Sequence, residues 1–408
     1  MFKKLAFVFK FPNTMSLILF DTPLAHKQIL PLTFTRPIAE IRCGIFTIRE
    51  KWERYFGKAS WLTMDYLAEV FACQYEAENV YINASLLPSA ELVSQISDLK
   101  KGDALFIGNK LLAFVAAEVK SSEIEHLIFS KKTEVGDAQM IERPWHIFQQ
   151  NGNEIRKDFQ YILSTQENQP IADPYTTVYA KENIFIGRNV KIKAAVLNAE
   201  TGPIYIGDNC EIQEGSLIRG PFALCEGSTV NMGAKMRGDN TIGPYCKVGG
   251  EISNSIFFGY SNKGHDGFLG NSVLGEWCNL GADTNTSNLK NNYSNVSIYS
   301  YSENENIDTG SQFCGLTMGD HSKAGINTMF NTGTVVGVSA NVFDGDFPAK
   351  HIPSFAWGKN EVYDFDKALE TAKRVMERRG KSLSEAEVKV LKVISERKYR
   401  ISNGLISK

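Results

Sequence analysis

The sequence predicts an α/β domain, then a left-handed parallel β-helix of hexapeptide repeats, then a short helical tail. Three observations predict it. Strand-like and helix-like apolar patterns alternate up to about residue 165, as in an α/β sandwich. From about residue 172 apolar residues recur every six positions, a period that belongs neither to a helix (about 3.6) nor to a half-buried strand (about 2). From about residue 360 the pattern becomes helical and strongly charged. The domain limits read this way are 15–165, 172–355 and 360–405.

In the first part, SLILF after Met15 reads as a strand. GIFTIREKWERYF spaces its apolar residues at helical intervals, and ENVYINASLLP reads as a strand running into a loop. SAELVSQISDLKKG reads as a capped helix stopped by glycine, and DALFIGNKLLAFVAA as two strands around Gly108-Asn109. STQENQP, residues 164–170, is polar and reads as a linker. Residues 1–14 begin with lysines, but the apolar core LAFVF is too short for a signal peptide and Lys10 interrupts it. Met15 is the expected start, or residues 1–14 a loose extension.

The repeat is clearest at Ile206, Ile212, Ile218, Leu224, Val230, Met236, Ile242 and Val248. Ala180, Ile186 and Ile192 share the spacing upstream. Leu274 and Leu280, and Met318, Ala324, Phe330, Val336 and Val342, share it downstream. Each six-residue unit is expected to give one short flat strand and one corner, with the apolar residue pointing into a triangular prism. The phase breaks between Val248 and Leu274, and between Leu280 and Met318. Extra residues in such a coil must loop outward, so both gaps are expected to be loops. The second, polar gap is also a candidate contact with another subunit. In the tail, Gly380 ends one helix and SLSEAE starts the next with a capping box. Its charges read as a solvated surface.

The chain has 408 residues, 43% of them hydrophobic, and a formal net charge of −2. No long basic run is present, which argues against nucleic acid or an anionic membrane as the main partner. No apolar run reaches the roughly 18 residues that span a bilayer. Seven cysteines, with no CxxC pair, read as small apolar residues in a reducing cytoplasm. His265, His321 and His351 lack the local spacing of metal ligands.

The segment GHDGFLGNSVLGEWCNLGADTNTSNL, which contains His265, carries the functional reading. It resembles the acetyltransferase half of the bifunctional UDP-N-acetylglucosamine pyrophosphorylase/glucosamine-1-phosphate N-acetyltransferases. That family has a pattern close to GHLxYLGDxxIGxxxNIGAGTxxxN. Gly264-His265, Leu269-Gly270, Leu274-Gly275, Asn279, Gly281-Ala282 and Asn288 match it. Upstream, ILFDTPLAHKQILPLTFTRPIAEIRCGIFTIREKW is similar to a divergent, largely bacterial branch of these proteins. LPLTFTRP echoes a nucleotidyltransferase nucleotide-binding loop. The resemblance implies a nucleotidyltransferase-like first domain.

By this resemblance His265 is the general base that deprotonates the amine of glucosamine 1-phosphate as it attacks the acetyl-CoA thioester. Imidazole suits that task because it titrates near neutral pH. Gly281 and Ala282 match the backbone that stabilises the oxyanion and meets acetyl-CoA. Asn279 and Asn288 match sugar-holding residues, and Arg237 a sugar-phosphate arginine able to grip two oxygens at once. Glu251 is expected to orient the base. Phe268 stands where the family has tyrosine, Ser253 where it has lysine, Asp283 where it has glycine, and Ile326 where a CoA-contacting serine is usual.

For the first domain the resemblance implies uridylyl transfer from a nucleoside triphosphate to a sugar 1-phosphate, with Mg²⁺. Arg36, Arg42 and Arg49 are the candidate phosphate contacts, and Asn83 takes the place of the family's magnesium aspartate. A neutral amide is a poor substitute for a carboxylate on Mg²⁺. The arginines have a plainer alternative, pairing with Asp21, Glu40 and Glu50. The resemblance also implies a homotrimer with clefts between subunits. Two other functions fit the residues: a single-activity sugar-phosphate nucleotidyltransferase with a structural β-helix, or a non-catalytic sugar-nucleotide-binding protein.

Overall fold

The computed structural model describes residues 15–397. The expectations for residues 1–14, and for the last part of the tail, 398–405, lie outside the described residues. The chain divides into two compact units. Of the described residues, one holds 15–29 with Thr35–Ile41 and Phe46–Arg143. The other holds Leu30–Phe34, Arg42–Ile45 and residues 144–397. This division differs from the expected 15–165. The helix Pro144–Thr165, which the sequence reading left unassigned, clusters with the β-helix, and so does the Leu30–Phe34 part of the LPLTFTRP stretch.

The first unit is a six-stranded mixed sheet of β1 (Met15–Phe20), β2 (Ala59–Leu62), β3 (Glu78–Asn83), β4 (Asp103–Ile107), β5 (Lys110–Ala116) and β6 (Lys131–Glu134), in the order β2-β1-β3-β5-β4-β6. β1 runs parallel to β2 and β3, while β5 is antiparallel to β3 and β4. The apolar strands are buried because both faces of the central sheet are covered, with Ile18, Phe20, Tyr81 and Phe114 in the core. Tyr81 and Phe114 stack at 4.5 Å. The helices are α1 (Pro23–Gln28), α2 (Ile48–Phe56) and α3 (Ala90–Ser97). α2 begins at Thr47, whose hydroxyl accepts from Glu50 N while the Glu50 carboxylate accepts from Thr47 N.

The second unit is a parallel β-helix of the left-handed class, whose short strands stack into three sheets of parallel rungs. The predicted inward residues from Ile186 to Val342 are buried in one continuous column of core. Ala180 is an exception. It occupies a corner at φ 53°, and Val178 takes the inward register opposite Leu197.

The first phase break is not an insertion. The register places Ile252, Phe257, Lys263 and Leu269 inside, between Val248 and Leu274. Those steps are 4, 5, 6, 6 and 5 residues, so the coils lose residues at their corners. The second break is a true insertion after Thr286. It contains the antiparallel hairpin Ser297–Ser300/Glu305–Asp308. The insertion folds onto its own prism: Tyr299 stacks on His351 at 3.7 Å, and Tyr301 Oη lies 3.1 Å from His351 Nε2.

Polar contacts pin α4 (Pro144–Thr165) to the segment Arg42–Ile45 and to the prism. Asn151 Oδ1 accepts from Gly44 N at 2.8 Å and from Thr241 Oγ1 at 3.1 Å, and Asp158 accepts from Ile45 N at 2.9 Å. The tail forms α5 (Phe365–Glu377) and α6 (Glu385–Glu396), the latter with the expected capping box at Ser384 and Glu387.

Candidate active site

His265 sits where the prism turns from the third face to the first. The corner in its coil takes four residues, 264–267, between the strands Asn262–Lys263 and Phe268–Gly270. The preceding coil makes the same turn in two, Gly249 and Gly250. The short corner leaves a concavity beneath the long one, and the imidazole projects beside it, exposed to solvent. Only glycine fits the short turn. Gly250 has φ +68°, and a Cβ there would lie 2.7 Å from Gly267 O.

His265 lines two recesses of about 720 and 620 Å³, which also share Asn231, Gly264 and Ala282. The first is lined by Gln213, Asn231, Gly249, Gly250 and Asp283 among others. The second brings His265 together with Asn279, Gly281 and Ala282, and with Ile326 from a later coil. Lys247, Arg378 and Arg379 supply positive charge to its lining. The sequence reading missed Arg378 and Arg379 because it took the tail's charges as solvated surface. Arg379 donates to Asn262 Oδ1 at 3.2 Å.

Tyr260 and Trp277 line this recess. They belong to a ladder in which Tyr245, Tyr260, Trp277 and His321 occupy successive corners, all with φ between 52° and 62°. Bulky side chains rarely adopt that conformation. Here their rings stack at 5.1, 4.3 and 6.3 Å, which offsets the strain. The ladder gives His321 a packing role.

The remaining expected substrate residues lie on the first face. Arg237 Nη1 bonds Glu251 Oε1 at 2.9 Å. It is therefore Arg237, not His265, that the Glu251 carboxylate holds. Phe268 is the register partner of Glu251 and donates its N–H to Asn285 Oδ1 at 2.8 Å. Asn288 Nδ2 donates to Asn271 Oδ1 at 2.7 Å. A Cβ on Gly270 would meet both the Asn288 amide and the Phe268 ring at 2.6 Å, so these two side chains close over that glycine. The structure thus gathers His265, Asn279, Gly281 and Ala282 in one groove. Arg237, Glu251, Phe268 and Asn288 form a second group on the adjoining face.

The four residues expected to serve nucleotidyl transfer do not form a comparable site. Arg49 is committed to carboxylates, with Nε 2.6 Å from Glu40 and Nη1 2.6 Å from Glu53. Burial lowers its pKa, but those carboxylates more than offset it and the net shift is upward. Arg42 belongs to the other unit, where it is buried and donates to Ile45 O. Arg36 is buried in the first unit. Asn83 has both ends of its amide occupied, Nδ2 donating to Leu111 O at 3.0 Å and Oδ1 accepting from Ser85 N at 3.0 Å. That amide does not fit a Mg²⁺ ligand. Among the described residues no group of three or more His, Cys, Asp or Glu could hold a metal ion.

The residue that organises the end of β1 is Asp21, which the sequence reading took only as a partner for arginine. Its buried carboxylate accepts from Thr63 Oγ1 at 2.6 Å and Ile38 N at 3.2 Å, and lies 3.2 Å from His26 Nδ1.

Residues 17–167 match the sugar nucleotidyl transferase family model. A Synechococcus elongatus protein described as bifunctional protein GlmU is 27% identical over 207 residues, which cover 46% of this chain and 40% of that protein. A bifunctional sugar-1-phosphate nucleotidylyltransferase/acetyltransferase of Sulfurisphaera tokodaii is 28% identical over 159 residues, covering 38% and 37%. Over these stretches the chain is similar, at modest identity, to GlmU-type bifunctional proteins. An uncharacterized acetyltransferase of Escherichia coli, YaiX, is 26% identical over 183 residues, covering 44% of this chain and 76% of that protein. The matched region thus spans about 40% of the length of the first of these relatives. Among the described residues no helix is long and apolar enough to cross a membrane.

Proposed function

We propose that the chain is a cytoplasmic transferase of sugar-nucleotide biosynthesis whose β-helix acetylates the amine of glucosamine 1-phosphate with acetyl-CoA. The observation that carries this reading is the exposed His265 in a groove shared with Asn279, Gly281 and Ala282, at the spacing of the GlmU-type pattern. A protonated amine is no nucleophile, so a base at the groove must take its proton as nitrogen attacks the thioester carbonyl. His265 is that base. The Gly281 N–H is held by Ala324 O at 3.0 Å, so the Ala282 N–H would receive the oxyanion. Asn279 would hold the sugar.

Lys247, Arg378 and Arg379 give the same groove the positive charge that an anionic substrate such as acetyl-CoA requires. Arg237 and Asn288, on the next face, complete the reading if two copies of the chain meet there, and a homotrimer would bring them together. Phe268 lacks the family's hydroxyl, so recognition of the sugar would lose one hydrogen bond at that point.

The family match of residues 17–167 supports reading uridylyl transfer into the first unit, where the amide of Asn83 would take no part in holding a metal. The test is to assay the half-reactions separately: thiol release from acetyl-CoA with glucosamine 1-phosphate, and pyrophosphate release from UTP with N-acetylglucosamine 1-phosphate. Acetyl transfer without pyrophosphate release would leave the β-helix reading intact and remove the second activity. Pyrophosphate release alone would favour a single-activity nucleotidyltransferase with a structural β-helix. Neither product would favour a non-catalytic binding protein.

A further inference from the structure

We propose that Lys263 is a positioning residue whose ammonium group, from inside the prism, holds the turn that carries His265. The proposal rests on the reading of His265 as the base. Lys263 stands in the inward column of the third face, where the other coils place Ile192, Ile212, Val230, Val248, Leu280, Ala324 and Val342. It is 0% exposed. The column needs only an aliphatic residue there, and a buried ammonium carries a desolvation cost that an aliphatic side chain avoids.

The hydrogen bonds show where the charge acts. Lys263 Nζ donates to His265 O at 2.8 Å and to Asp266 O at 3.0 Å. Each carbonyl of the turn has a partner. Gly264 O accepts from Asn231 Nδ2 at 2.8 Å, Asp266 O also from Asp283 N at 3.1 Å, and Gly267 O from Glu251 N at 3.1 Å. Among the described residues the His265 carbonyl has Lys263 as its one donor. Without the lysine, that carbonyl would face an apolar interior with nothing to bond. The turn would then rotate, taking the imidazole with it.

The titratable groups near Lys263 are His265 and Asp266 in its own turn and Asp283 in the turn of the next coil. Burial lowers the lysine's pKa to about 8, and the two aspartates oppose that shift. Charge-assisted bonds are roughly twice as strong as neutral ones, so the strap weakens as the ammonium deprotonates.

The test compares wild type with Lys263→Met, in which a flexible apolar chain of similar length enters the column. Misplacing a reacting group by about 1 Å can cost up to roughly 100-fold in rate. The expected result is a kcat for acetyl transfer lower by about 10- to 100-fold, with KM values little changed and Tm equal or higher. Amide exchange at Asp266 and Gly267 is expected to be faster. The alkaline fall in wild-type kcat near pH 8 is expected to vanish in the variant.

Wild-type kcat, wild-type amide exchange, or a loss of Tm in step with activity would each overturn the proposal. If the methionine variant does not fold, Asp283→Asn decides. Removing that carboxylate is expected to move the alkaline fall to lower pH, and an unmoved fall would overturn the proposal. His265→Ala separates the two claims. Undiminished acetyl transfer there would reject the base, while amide exchange and Tm of the lysine variant would still decide Lys263.

Discussion

Gly281→Ala places one methyl group where two coils of the groove stack backbone against backbone. A Cβ at Gly281 would lie 2.6 Å from both the carbonyl carbon and oxygen of Gly325, and 2.8 Å from Ile326 N. All three atoms are backbone, so no side chain can swing aside. Restoring ordinary contact at 3.4 Å requires 3.4 − 2.6 = 0.8 Å of separation between the two rungs. Such overpacking costs about 1–3 kcal/mol. For a unit of this size that lowers Tm by roughly 2–4 °C per kcal/mol. The same shift moves the neighbouring Ala282 N–H, which is expected to slow acetyl transfer by up to about 100-fold. Thermal unfolding and thiol release would measure the two effects. Gly345→Ala is the control, since nothing lies within 4 Å of its Cβ and its φ is not positive. A Gly281→Ala protein with the Tm and rate of the Gly345→Ala protein would refute the tight stacking on which the groove rests.

Other perturbations give distinct outcomes. Arg237→Ala breaks an ion pair whose arginine side chain is 64% exposed, so Tm should be unaffected within about 1 kcal/mol of stability. KM for the sugar phosphate should rise, and Arg237→Lys should not restore it, because a lysine cannot grip two oxygens in one plane. In native protein at pH 8, iodoacetamide should modify none of the six buried cysteines, and the seventh, Cys73, only slowly. Burial pushes the Cys210, Cys278 and Cys314 thiols up to about 12 and raises Cys73 as well, so little thiolate is present. The sign for stability follows: these folded thiols keep their protons where unfolded ones lose them. Their contribution therefore falls as pH rises from about 9 towards 12. Mass spectrometry of alkylated native and unfolded protein would count the sites.

The hexapeptide column was legible because one inward residue per rung must be apolar, from Ile206 through Val248 without a break. The same rule made the first phase break misleading. Corners can shorten as well as lengthen, and a coil missing residues breaks the spacing just as an insertion does. Lys263 deepened the error, since a lysine does not look like an inward residue. Yet the compressed corner at Gly249-Gly250 is what leaves room beside His265. The groove residues His265, Asn279, Gly281 and Ala282 were readable because their spacing resembles the GlmU-type pattern. Arg378 and Arg379 were not, because their place in the lining depends on how α5 lies on the prism, which no local pattern encodes. In the first unit the strand pattern could be read, but the commitments of the arginines could not. Arg49 pairs with Glu53 one helical turn away and with Glu40 outside its helix. Arg42 folds with the other unit, a consequence of long-range packing that residue type does not announce.

The most direct measurement is thiol release from acetyl-CoA in the presence of glucosamine 1-phosphate by His265→Ala, with size and Tm checked alongside. An exposed side chain at a corner can be removed without disturbing the rungs, so fold and assembly should match wild type while thiol release falls to background. Thiol release at the wild-type rate from that variant would contradict the account at its centre.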